Sequence, residues 1–200
     1  MITNTIVELN KIFKNLNKDY FDSKLVEPVI LIQTKTKKNT LGTCSVNPIW
    51  EKKDDEKDKR YEITLSGNHL NRTLEEIVIT LLHEMVHLYC SLNNIQDTSN
   101  NHVYHNKNFK KEAEDHGLII EKGQTVGWSY STPNEKTKEL IKSYKIDNKA
   151  FDYWRNVSNF ETPKKKSVAY KYQCECGIQL RLTKRANLIC GECKKPFEEE

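Results

Sequence analysis

Two histidines four residues apart, His83 and His87, flank Glu84 inside the stretch LLHEMVHLYC, residues 81–90. Residues four apart on a helix stack one turn above another on the same side, so both imidazoles can face one ion. Glu84 lies about 100° round from His83, on the same half of the helix, beside such an ion without having to ligate it. Zinc in such a place lowers the pKa of a bound water to about 7. A neighbouring carboxylate can then take the proton and pass it to a leaving amine. The segment is otherwise apolar, where unpaired polar groups are costly, and this favours a metal over satisfied core residues.

An open catalytic zinc needs a third protein ligand. Cys90 and Asn93 stand where a metzincin would carry Gly and His, which excludes that class. The downstream candidates are His102, His105, His116, Glu112 and Glu114. Spacing alone leaves His105 and His102 both open.

A second constellation lies near the C-terminus. Cys174-x-Cys176 and Cys190-x-x-Cys193 are two knuckles whose four thiolates can close a tetrahedral structural zinc site. The module at 168–200 is too small to hold together on a core alone, so a metal clip makes physical sense. Lys171, Tyr172, Arg181, Lys184 and Arg185 could track a phosphate backbone, with Tyr172 available for stacking. The opposing reading is a stabilising cap with ordinary solubilising charge, and the acidic tail Glu198–Glu200 argues against a uniformly basic face.

These groups need elements to position them. Apolar periodicity predicts a helix over 4–22 and a longer one over the HExxH segment, where Thr73 and Glu76 form a capping-box pattern. PVILIQTKT, GTCSVNPIW and RYEITLSG read as strands, and the charged run EKKDDEKDKR at 51–60 as a hairpin loop. KNFKKEAEDHG predicts a shorter helix ending near Gly117, and GWSY a strand. NEKTKELIKSY and NKAFDYWRNV predict two further helical segments. This is an α+β pattern: a small mixed or antiparallel sheet packed on the first helix and the HExxH helix, with a zinc ribbon appended. The expected divisions are 1–160, a basic linker at 161–167, and 168–200. Cys44 and Cys90 read as small buried residues, His69 and His116 as surface or helix-end residues, and Trp128 and Tyr130 as core, the alternative being a place flanking the active-site groove in contact with substrate or DNA bases.

Composition sets the outer bounds. The 200 residues carry 36% hydrophobic and 30% charged side chains, which suits one ordinary domain plus a small appendage and excludes a disordered chain. The net charge of +4 is a mild excess, concentrated in KTKKNT at 35–40 and PKKKS at 163–167. No run approaches a membrane span, and the N-terminus lacks a secretory pattern. A cytoplasmic protein is therefore expected, with nucleoid association compatible, and cysteines that serve metals rather than disulfides.

In combination these segments resemble the SprT-like zinc metallopeptidases, the family of bacterial SprT and the Spartan DNA–protein crosslink proteases. LNKDYFDSKL at 16–25 is similar to the end of the family's first helix. LGTCS at 41–45 is similar to its glycine-containing strand, and TLLHEMVHLYC to its active-site helix. YHNKNFKKEAEDHGL at 104–118 is similar to its downstream segment, and YQCECG with LICGEC to its zinc module. The resemblance implies a zincin-like fold, His105 as the third ligand of a catalytic zinc, Glu84 as general base, and a second, structural zinc. It also implies protein substrates associated with or crosslinked to DNA, with single-stranded or junction DNA as a partner. The competing readings are a DNA-binding adaptor whose zinc sites are structural, and a metal-dependent hydrolase of non-protein substrates.

Overall fold

The computed structural model describes residues 2–34, 39–156 and 169–200. Most of the basic run at 35–40 and all of the linker at 161–167 lie outside the described residues. The chain divides into two compact units, Met1–Asn156 and Val157–Glu200.

The first unit opens with α1, Ile2–Phe21, whose Leu9, Ile12, Phe13 and Leu16 form one buried stripe at helical spacing. A tight turn ends it. Asp22 and Ser23 enter the left-handed region, and the Ser23 N–H bonds to the Asn17 carbonyl at 2.9 Å. The Asn17 side chain, itself buried, then clamps the backbone of Leu25 by both its groups. Its Nδ2 donates to the Leu25 carbonyl at 3.0 Å, and its Oδ1 accepts from the Leu25 N–H at 3.1 Å. This clamp is the physical content of the Asn-to-Leu spacing in LNKDYFDSKL.

Three strands follow in one mixed sheet. β1, Val29–Gln33, runs parallel to β5, Glu62–Ser66, and β2, Gly42–Cys44, runs antiparallel to β5 on its other side. Central β5 is buried on both faces, by Ile63 and Leu65 on one and Thr64 and Ser66 on the other. The charged run between β2 and β5 departs from the expected loop. Trp50–Lys52 (β3) and Asp55–Arg60 (β4) are themselves strands of an exposed ribbon. Opposite charges face each other across it, as in the Lys59–Glu51 pair at 2.6 Å.

α2, Leu74–Leu92, is the central element, packed on α1, β2, β5 and the later segments. Its capping box is complete: Thr73 Oγ1 accepts from the Glu76 N–H, and the Glu76 carboxylate accepts from the Thr73 N–H. Then come the short hairpin β6, Thr98–Ser99, and β7, Tyr104–His105; α3, Lys107–Asp115; the ribbon β8, Leu118–Glu121, and β9, Tyr130–Pro133; and α4, Glu135–Ser143. Gly117 follows α3 with φ +90°, and a Cβ there would meet the Thr137 hydroxyl at 2.6 Å.

Two expectations shift. The strand foreseen in GWSY begins only at Tyr130, and its partner β8 was not foreseen. The helix foreseen in NKAFDYWRNV is a single 3-10 turn, Asn148–Phe151, capped by Asp147. Ala150 and Phe151 are buried there, whereas Tyr153 and Trp154 are exposed, so no helical stripe continues.

The second unit is a small sheet of β10, Tyr170–Gln173, β11, Gln179–Leu182, and β12, Glu198–Glu199, with β10 central. No helix among the described residues is long and apolar enough to cross a membrane.

Replacing Asn17 by Leu keeps the branched shape but strands the buried Leu25 N–H and carbonyl. Urea unfolding is expected to show a loss of about 2–3 kcal/mol. An unchanged midpoint would mean that the turn holds without the clamp.

Candidate active site

α2 carries its apolar residues Ile77, Val78, Leu81, Leu82, Met85 and Leu88 fully into the core, while His83 and His87 emerge half-buried on the adjoining face. His105, at the end of β7, reaches the same point. The three Nε2 atoms form a near-equilateral triangle: His83 to His87 3.3 Å, His83 to His105 3.2 Å, His87 to His105 3.1 Å. A tetrahedral metal with nitrogen bonds of about 2.0–2.1 Å separates its nitrogens by about 3.3–3.4 Å. The triad therefore fits one ion with a fourth position to spare.

Each imidazole is aimed by a bond at its other nitrogen. His87 Nδ1 meets Asp97 Oδ2 at 2.5 Å, His83 Nδ1 meets Ser131 Oγ at 2.8 Å, and His105 Nδ1 meets the Val126 carbonyl at 3.1 Å. A carbonyl oxygen can only accept, so His105 carries its proton on Nδ1 and presents a bare lone pair at Nε2. The Asp97 carboxylate selects the same tautomer for His87. Burial alone would raise the Asp97 carboxyl, but hydrogen bonds from His87 and Thr98 hold it below the ordinary range. Burial, reinforced by the neighbouring imidazoles, pushes His83 well below the usual histidine range. Burial and then His87 push His105 down to about 4. Both rings are thus neutral near pH 7, the form that binds metal.

Phe109 of α3 closes the back of the triad. Its ring centroid lies 4.6 Å from those of His83 and His87 and 4.7 Å from that of His105, and the residue is fully buried. Gly127 secures His105 from the side. The His105 N–H bonds to the Val126 carbonyl, and the Trp128 N–H returns to the His105 carbonyl, each at 3.1 Å. Gly127 sits between with φ +74°, where a Cβ would collide with the His105 carbonyl oxygen.

Glu84 is 5% exposed and lines the same cleft as the triad, a concavity of about 1350 Å³. Its carboxylate lies against the backbone of edge strand β2. A Cβ on Gly42 would stand 2.7 Å from Glu84 Oε1 and 3.1 Å from its Cδ. The glycine in LGTCS is thus a seat for this side chain.

The other ligand candidates fall elsewhere. His102 is exposed at the hairpin tip, its Nδ1 3.2 Å from Thr98 Oγ1. Glu112 and Glu114 do not join the triad. His116, expected at the surface or a helix end, caps α3 but is buried, stacked on Phe21 at 4.4 Å. Cys90 is buried and Cys44 half-buried, as expected, and burial raises both thiols. Trp128 packs on the core, whereas Tyr130 departs from the core reading and takes the alternative, 64% exposed and lining the cleft.

Asp97, Ser131, Val126 and Gly127 were not singled out from the sequence, and Phe109 only as the phenylalanine that follows His105 in the segment similar to the family. Phe109 had a signal, since it pairs with Ala113 at helical spacing on the buried stripe of α3. The others are ordinary loop or strand-end residues whose roles arise from tertiary proximity.

In the second unit the four cysteine sulfurs converge, all within 4.8 Å of one another. Cys174 and Cys193 stand 3.2 Å apart and Cys176 and Cys190 3.6 Å, near the roughly 3.8 Å of a tetrahedral site with 2.3 Å sulfur bonds. Backbone N–H groups of Cys193 and Glu192 draw the Cys190 thiol down to about 7. The foreseen stacking role of Tyr172 fails: the side chain is 5% exposed and its hydroxyl accepts from the Ala186 N–H at 3.1 Å. Arg185 is engaged by Glu199 at 3.2 Å. Lys171 and Arg181 are cross-strand partners and exposed, as is Lys184.

Asp97→Asn should weaken metal binding by about 10- to 100-fold, because the amide no longer enforces the His87 tautomer. Competition against a chromophoric chelator reads this directly, and wild-type affinity in the variant would refute the orienting role.

No curated protein and no solved structure matches the chain. A family model does, that of the SprT-like family, over residues 9–124, a span that runs from α1 through the HExxH helix and His105 to the end of β8. The chain belongs to the SprT-like family.

Proposed function

We propose that the protein is a zinc-dependent peptidase, with His83, His87 and His105 holding the catalytic ion and Glu84 acting as general base. The convergence of three lone pairs beside a seated carboxylate, in an open cleft, carries this reading. Zinc in that position supplies a Lewis acid that polarises a carbonyl and acidifies water.

The chain's residues do the rest. Ser131, Asp97 and the Val126 carbonyl keep the imidazoles aimed. Gly42 leaves room for the Glu84 carboxylate. Glu84 takes a proton from the attacking water as its oxygen bonds to the scissile carbonyl carbon. It then delivers that proton to the departing amide nitrogen as the C–N bond breaks. The products are a carboxylic acid and an amine, and Glu84 ends as it began.

The four cysteines hold a structural zinc in this reading. The substrates are proteins associated with or crosslinked to DNA, on the strength of the family resemblance. The exposed, directly opposed cations Lys171 and Arg181 support a DNA contact, since like charges so placed are relieved by a phosphate. The same pair is the observation that favours the second reading, an adaptor that binds DNA without cutting protein.

A gel assay on a DNA-crosslinked protein separates the two. Wild type is expected to cleave, more so with single-stranded DNA, and Glu84→Gln to lose about 10²–10⁴-fold. Undiminished cleavage by Glu84→Gln would remove the general base. No cleavage by the metal-loaded wild type, with salt-sensitive DNA binding retained, would establish the adaptor.

Gly42→Ala tests the seat. It should lower kcat by about 10- to 100-fold while KM and metal content stay near wild type. A normal kcat would show that Glu84 tolerates displacement.

A further inference from the structure

The rim of the cleft is apolar in a way that catalysis does not require. Leu41 and Val126 are each 37% exposed, and Tyr130 is 64% exposed. Each lies within one residue of the reaction machinery. Leu41 precedes Gly42, against which Glu84 rests. Val126 gives its carbonyl to His105, and Tyr130 precedes Ser131, the partner of His83. Val46 and Val103, each 46% exposed, extend the same lining. Single exposed apolar residues are ordinary, but these share one concavity, where an apolar ligand would remove them from water.

The charge of the cleft is equally selective. Among the described residues Glu75, Glu76, Glu84 and Asp97 line it, against one Lys or Arg side chain, Arg72. That guanidinium is already engaged: it donates to the carbonyls of His69 at 2.9 Å and Glu76 at 3.3 Å and to Thr80 Oγ1 at 3.0 Å. Among the described residues no lysine lines the cleft, although the chain carries 32 Lys and Arg. Away from the metal position, a carboxylate brought beside Glu75, Glu76 and Asp97 would meet like charge, with Arg72 the one Lys or Arg among the described lining residues to offset it.

We infer that this cleft selects polypeptide segments with apolar side chains next to the cleaved bond and rejects segments that are acidic there. The inference rests on the peptidase reading and names the substrate class of that site.

Three quenched fluorogenic peptides, identical except for leucine, alanine or glutamate on either side of the central bond, test it with the zinc-loaded full chain. The leucine peptide should exceed the glutamate peptide by about 10-fold or more in kcat/KM. Fluorescence anisotropy with Glu84→Gln should rank binding in the same order, without cleavage. Tyr130→Lys, at an exposed position, should narrow the gap by admitting the acidic peptide and weakening the apolar one. Equal or inverted rankings in binding overturn the inference. Cleavage of all three peptides at similar rates also overturns it while leaving the peptidase reading intact. Absence of cleavage with the expected binding order retains the selectivity and removes the peptidase.

Discussion

Bringing three imidazole nitrogens within 3.3 Å of one another is the constraint on which the rest of this protein is arranged. Lone pairs aimed at one point repel, and protonated rings there would repel more. The fold meets this by holding each ring through its far nitrogen, to a carboxylate, a hydroxyl and a carbonyl on three different segments. α2 supplies two rings, the hairpin β6–β7 supplies the third, and the segments around β6 and β9 supply the partners. Elements that are individually short are thereby tied to the long buried helix.

Around that point the division of labour is clear. Behind the rings, Phe109 and the core of α2 exclude water. In front, the cleft is open and lined by backbone, small polar groups and a few apolar side chains. Glu84 bridges the two environments, buried to 5% yet facing the cleft, because edge strand β2 offers a glycine where any other residue would press on the carboxylate. The sheet thus serves the site as well as the core: β5 anchors it, and β2 presents the seat.

What could be read in advance depended on the range of the interactions. The capping box of Thr73 and Glu76, the stripe on α2 and the helical spacing of His83, Glu84 and His87 are local, and each is legible in a few residues. His105 is 18 residues beyond His87, and only the family resemblance separated it from His102, because a hairpin rather than a helix closes that distance. Asp97, Ser131 and Val126 have no local signature at all. The charged run at 51–60 misled because alternating charge resembles a solvated loop, whereas cross-strand pairing turns it into a ribbon. NKAFDYWRNV misled differently: its aromatic residues divide between buried Phe151 and exposed Tyr153 and Trp154, a pattern that tertiary packing imposes. Tyr172 misled because a tyrosine beside basic residues looks available for stacking, while the small ribbon has few other side chains with which to build an interior.

Phe109 has a kinetic consequence. Its ring lies nearly equidistant from the three imidazoles and seals their inner side with carbon. An ion at the triad can then arrive and depart only by the mouth of the cleft, the path that a bound polypeptide would block. On the proposed reading, exchange of the ion and occupancy of the cleft are mutually exclusive events: the metal is held longest while the cleft is filled, and chelators strip it mainly when the cleft is empty.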